Sequence, residues 1–502
     1  MRTLFFLLFA FSFSVINAQI GHPGQCGFLP DEDFTPRLLA NKEAARLNNH
    51  DRNDSIFYVP IQLHLVGNDE GGGRMTEKRA LQGICKLNQD YAPLNMVFYL
   101  KEEFNYINSE AMFNLQFPNV PTSVTSLYAQ NKVSNAINIF VGNGLSSGNS
   151  GYYTGGQDII YMDKSFMTPN AGILAHEMGH FFSLHHTFFG WESTTYDPNQ
   201  PTPQTVMWGN WSNDVEYVDR DKNCETSADY LCGTPADYIT VGAANCNYTG
   251  GAVDPDSVLI DPDERNHMAY YSFSGCPEYH FSDDQMEVIL EDYDARWQLS
   301  NLDCPELKDV TETANLISPS NQELIETYDN VDFEWEPVPN ADFYLIEISP
   351  LASFGLIWDQ AVLKNTTFTS NELSANRDNY YWRIWAFSQT DFCEIIYSES
   401  GHFATGGQLS TVQEIDFLEE ILVAPNPALE GKIMLQFNSQ KTDHINLSII
   451  NTQGQTIQSI NNQLITKGNN IIELNLAGIQ SGIYYLRLES DRQISTQRIV
   501  IL

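Results

Sequence analysis

Four residues in one short stretch can do chemistry together. In His176-Glu177-Met178-Gly179-His180 the two histidines are four apart. On a helix that spacing puts both imidazoles on one face, one turn apart. A catalytic zinc ion takes three protein ligands and keeps one position open. Two would come from this helix. A third follows if the helix ends and a turn near Ser183 swings His186 back; His185 competes for the same place. Glu177 sits beside the pair, where it can take a proton from an attacking water and return it to the leaving amine.

Such a helix needs a scaffold, and the sequence supplies one. A helix is expected over about 171–184, with Pro169 and Asn170 just before it. Upstream, residues 58–66, 96–100, 136–141 and 158–162 read as strands, and 77–91 as a helix. Strands preceding a central helix make an α/β or α+β domain. From Trp191 to Pro262 the chain is dense in Gly, Pro, Asn, Asp and Thr, and reads as loop. Residues 282–297 close the domain as a helix, with Ser282 as N-cap and acidic residues in its first turn.

After a linker at 305–313 the pattern becomes all-β. Val331, Phe333 and Trp335 alternate, as do the residues of 381–386. Six or seven short strands in this stretch suggest a sandwich over 314–406. Residues 420–502 form a second small β module, with strands near 433–437, 445–450, 471–476, 482–488 and 494–501.

Beyond the histidines, several blocks resemble the pappalysin-like (cytophagalysin) metzincin peptidases, whose motif is HExxHxxGxxH followed by Thr-Phe. Here it reads HEMGHFFSLHHTF, which picks His186 over His185. Cys224, Asp229, Cys232, Thr234, Pro235 and Asp237 follow the family's Cys-rich block. Asn266, Met268, Tyr270, Cys276, Phe281, Ser282 and Gln285 follow a third block. The resemblance spans about 56–300 and implies an α/β metzincin domain over 55–304 with one catalytic Zn2+. It implies that Met268 forms an apolar floor below the metal and that Tyr270 hydrogen-bonds the oxyanion. It also suggests disulfides Cys224–Cys246 and Cys232–Cys276.

The chain departs from the family twice. Ser183 replaces a Gly that tolerates a left-handed backbone, at a cost of about 1 kcal/mol. Gly233 replaces the Asp of Asp-Thr-Pro, which puts calcium binding and cleavage specificity in question. The sandwich resembles a fibronectin type III or immunoglobulin-like domain. Val423-Ala424-Pro425-Asn426-Pro427, Asn451 to Gln455, Ser481 to Tyr485 and Gln497 to Val500 resemble the C-terminal sorting domain of type IX secretion. That implies contact with the type IX machinery, then release or surface attachment.

The first residues, MRTLFFLLFAFSFSVINAQ, have the form of a signal peptide ending at Ala18, with an apolar run too short for a membrane anchor. No later segment has 18 consecutive apolar residues, so no transmembrane segment is expected. Residues 19–54 read as a pro-segment. Cys26, in Gln25-Cys26-Gly27, resembles a cysteine that caps the metal in a latent precursor; a disulfide with Cys85, Cys304 or Cys393 is the alternative. A net charge of −38 repels phosphate backbones and argues against nucleic acid. It is compatible with bound Ca2+. The sequence thus reads as a secreted zinc endopeptidase acting on protein or peptide substrates. The alternative is an adhesin or binding protein with inert chemistry. A scaffold alone would have no need of Glu177, which is not a ligand.

Overall fold

A computed structural model describes the chain outside residues 1–32, 49–55, 147, 209–210, 240–246, 272–275, 277, 297–298, 300–304, 409–414, 416, 430, 452–454, 491–492 and 502. The signal peptide, Cys26, Cys246 and Cys304 lie outside the described residues. The described part of the expected pro-segment is helix α1 (Phe34–Leu47), with Phe34, Leu38 and Asn41 buried.

The first domain is built on strands β1 (Phe57–Gly67), β2 (Met96–Leu100), β3 (Asn105–Asn108), β4 (Ile137–Gly142), β5 (Gly151–Thr154) and β6 (Ile159–Asp163). Their order is β2-β1-β4-β6-β5, with β3 also on β1. All pairings are parallel except β5 with β6. β1 is buried from Val59 to Gly67, as expected of a parallel strand covered on both faces. Pro60 is tolerated there because β4 pairs with β1 only from Ile61 onward. Helices α2 (Glu77–Asp90) and α3 (Ile173–Phe181) contact one another, and α3 also lies on β5 and β6. Helix α4 (Asp283–Ala295) opens with a capping box between Ser282 and Gln285, and packs on α1.

The sandwich buries two faces. In β7 (Phe343–Ser349) and β8 (Arg377–Phe387), Tyr344, Ile346, Ile348, Tyr380, Trp382 and Ile384 fill its own core. Phe343, Leu345, Trp385 and Phe387 face the other way and join the core of the first domain. A disulfide, Cys85–Cys393, ties α2 to the segment after β8. It leaves neither cysteine for Cys26. The C-terminal module is a seven-stranded arrangement with a core of its own. Its strands include Leu418–Leu429 and Thr456–Ile465, both missed in the sequence reading. Among the described residues, no helix is long and apolar enough to cross a membrane.

The disulfide expectation in the loop region is corrected. Cys224 pairs with Cys232, their Cα atoms 5.0 Å apart, so neither Cys224–Cys246 nor Cys232–Cys276 can form. The short helix Arg220–Asn223 and the turn after it fold this stretch back on itself. Cys276 is disulfide-bonded as well.

Candidate metal centre

Helix α3 is apolar on nearly every side and every residue in it is buried. Gly179 allows this. A Cβ there would lie 2.4 Å from the sulfur of Met268, which is fully buried against the helix. The helix stops at Phe181. Ser183 then adopts φ +69°, in the left-handed region, and the Leu184 amide donates to the Gly179 carbonyl. This reversal returns the chain to the helix and brings in His186.

His176, His180 and His186 converge so that one ligand nitrogen from each lies within 4.8 Å of the others. His176 Nδ1 lies 2.6 Å from the His267 carbonyl, and His180 Nδ1 lies 2.7 Å from that of Leu184. A carbonyl can only accept, so both Nδ1 atoms donate and both Nε2 atoms present lone pairs. His186 Nδ1 is 3.1 Å from Glu192 Oε1. The other Glu192 oxygen accepts from the Gly190 amide. Such outward ties orient metal-binding imidazoles.

Two observations fit a cation at this place. His176 Nε2 is buried without a hydrogen-bond partner. The His180 lone pair faces His186 Nε2 at 3.1 Å, a gap that needs a proton or a cation. Burial, and the neighbouring His186, push His176 down to about 3; burial does the same to His186. Burial and both partners push His180 well below the usual range. All three rings are therefore neutral near pH 7, the form that ligates metal.

The other expected site residues cluster nearby. Glu177 is fully buried, and its Oε1 would lie 3.1 Å from a Cβ at Gly151 on β5. The Tyr270 ring is 4.9 Å from that of His186 and 5.8 Å from that of His176. His185 is excluded from the cluster. Its ring stacks on Phe189 at 3.8 Å, and its Nε2 meets Thr35 Oγ1 at 2.9 Å.

The remaining motif residues hold these parts in place. Asn266 and Gln285 exchange side-chain hydrogen bonds, and Asn266 Oδ1 also accepts from the Met268 amide. The Met268 turn is thereby fixed to the N-terminus of α4. Thr187 donates to Asp237, anchoring the Cys-rich loop beside the third histidine. Gly233 is explained by α4: its amide donates to Asp284, and a Cβ there would come within 3.0 Å of the Asp284 carboxyl carbon. Glu192 was missed by sequence reasoning, since no metal-ligand spacing marks it.

Residues 422–502 match the family described as secretion system C-terminal sorting domain. The protein is thus secreted through the type IX pathway, to be released or held at the cell surface. No curated protein matches the chain. Among solved structures, a promirolysin mutant of Tannerella forsythia is 13% identical with a TM-score of 0.36, covering 55% of this chain and 100% of its own. Fibronectin(III)-like modules of CbhA from Clostridium thermocellum are 10% identical with a TM-score of 0.16, over 38% of this chain and 93% of theirs. The FN1–FN3 domains of chicken CNTN1 give the same identity and TM-score, over 38% and 64%. The distances above, not these likenesses, define the site.

Proposed function

We propose that the protein is a secreted zinc-dependent endopeptidase. The carrying observation is the convergence of three neutral imidazoles whose Nδ1 atoms are tied outward. Zinc bound to His176, His180 and His186 would supply a Lewis acid for a peptide carbonyl. Glu177, buried beside the cluster at β5, takes the proton of the attacking water and gives it to the leaving amine. Tyr270 lies within reach of the same centre to donate to the oxyanion. Met268 packs beneath and binds nothing. Zinc analysis joined to cleavage of a peptide library tests the reading. Glu177→Ala should keep about one zinc per chain and lose cleavage by roughly two to four orders of magnitude. Wild-type rates in that variant, or a wild-type chain without zinc, would refute it.

We also propose a Ca2+ site beside the Cys-rich loop. Both carboxylate oxygens of Glu216 are buried without hydrogen-bond partners. Its pKa is raised well above the usual carboxylate range, by burial and then by Asp229. A hard dication is the ligand that relieves such a group. Calcium should raise the Tm, and a chelator that spares zinc should lower it; no effect from either would remove the site.

A further inference from the structure

We propose that helix α1 is a positioning element of the metal centre, acting through a side-chain latch between Asn41 and Ser183. The inference rests on the zinc-peptidase reading. Residues 181–185 carry the chain from His180 to His186, and α1 holds them at four points. Arg37 Nη2 donates to the Phe181 carbonyl at 3.1 Å. Asn41 Nδ2 donates to Ser183 Oγ at 3.0 Å. Thr35 Oγ1 meets His185 Nε2 at 2.9 Å, and the Phe34 ring lies 4.9 Å from that of His185.

The latch is anchored at both ends. Asn41 is 5% exposed and also donates to Asp292 on α4 at 2.6 Å. Asp292 is held in turn by Arg37 and Arg296, and Arg296 donates to the Phe181 carbonyl at 2.7 Å. Phe34 and Leu38 seat the helix in the core. Ser183 is the one strained residue in the connection, at φ +69°, where a side chain is disfavoured. A glycine would relax that strain but offer nothing to grip. The serine gives α1 a hydroxyl by which to hold the turn that delivers the third ligand.

Linkage then makes the effect mutual: what α1 does for the metal, the metal does for α1. Zinc should protect α1, and loosening the latch should weaken zinc. This coupling applies to the intact chain whatever its later processing.

The test uses full-length protein carrying Asn41→Ala, Ser183→Ala or both. Ser183→Ala keeps the strained backbone and removes only the hydroxyl, so it carries the test even if Asn41→Ala fails to fold. Zinc affinity is measured by chelator competition, and ligand geometry from the visible spectrum of the Co2+-loaded protein. Each single variant should bind zinc about 10-fold more weakly, the low end of the range for losing a direct partner of a ligand, because the latch acts on the ligands only through the turn. The double variant should be no weaker than either single one. Cleavage within α1 by an added protease should be slowed by zinc in wild type and much less in the variants. Unchanged zinc affinity and Co2+ spectrum in a folded Ser183→Ala overturn the latch, and so does simple additivity of the two changes. A wild-type chain that takes up no zinc overturns the metal reading and the latch with it.

Discussion

The three histidines and the acidic loop from Glu216 to Asp237 both bury titratable groups, but in opposite ways. Each histidine loses its charge on burial and keeps one ring nitrogen tied to an oxygen. The buried acids Glu216, Asp229 and Asp237 lose water without gaining a cation in direct contact. Asp237 is held by Thr187, Tyr271 and the Ile239 amide, all neutral donors. Burial leaves its pKa raised to about 6. The Glu216 carboxylate oxygens have no hydrogen-bond donor among the described residues. A neutral imidazole cluster is close to rest at neutral pH and accepts a metal without reorganising. The acid loop is under electrostatic stress there, and an ion would relieve it. One centre is shaped to work on something bound; the other needs something bound in order to sit still.

The largest expected effect tests the first half of that contrast. His186→Ala should reduce zinc from about one per chain to near zero and abolish cleavage, whereas His185→Ala should keep the zinc. Metal analysis of both proteins decides it, and the reverse pattern would transfer the third ligand to His185. Glu192→Ala comes next. It removes the acceptor of His186 Nδ1 and should weaken zinc about 10- to 100-fold, with Glu192→Gln losing less. Chelator competition measures both, and an unchanged affinity would reduce Glu192 to a loop tie.

The sequence disclosed the ligands but not what orients them, for a physical reason. Helical spacing fixes His176 and His180, and the reversal at Ser183 follows from the short interval to His186. Glu192 reaches His186 only because the chain bends at Phe188 to Gly190, and no periodicity records that. Strand alternation failed in a similar way at β7, where all seven residues are buried. One face fills the sandwich and the other the first domain, so its pattern looks like that of a central parallel strand. The four-residue strand β5, which abuts Glu177, is too short to show a period. The grip of α1 on the turn after α3 depends on contacts more than 140 residues apart in sequence, which no local pattern records. The disulfide expectation failed because it was carried over from a family pattern, while Cys224 and Cys232 are brought together by a local fold.

A smaller effect concerns the metal-free protein above about pH 7.5, one unit past the ordinary histidine value. There the histidines are neutral whether folded or unfolded, so they no longer contribute to the pH dependence. The acids still do. Glu216 keeps its proton in the folded state to a pH well above its ordinary value, while the unfolded chain has already released it. The folded state then binds more protons than the unfolded one, so stability must fall as pH rises. Glu192, raised to about 8 by burial, adds a loss of the same sign. Between pH 7.5 and 9 the loss is at most about 2 kcal/mol per group. Urea midpoints in chelator should therefore drop over this range, and millimolar Ca2+ should restore most of the loss.

Glu216→Gln gives the last and smallest expected effect, and it separates the acid loop from everything else. The amide removes the ionisation but keeps the shape. Burial holds the proton on the folded-state carboxyl above its ordinary range, so at the acidic end of the range the variant should match wild type within about 1 kcal/mol. Toward pH 9 it should be the more stable of the two in chelator, because it has no charge to bury. Its residual slope belongs to Glu192 and the other raised acids. Calcium should no longer raise its midpoint, since the dication has lost the carboxylate it relieved. Zinc content should stay at the wild-type value, because Glu216 touches none of the three histidines. A variant that still gains stability from calcium would move the calcium site elsewhere. One that loses zinc would show that the two centres are coupled, and the contrast between them would fall.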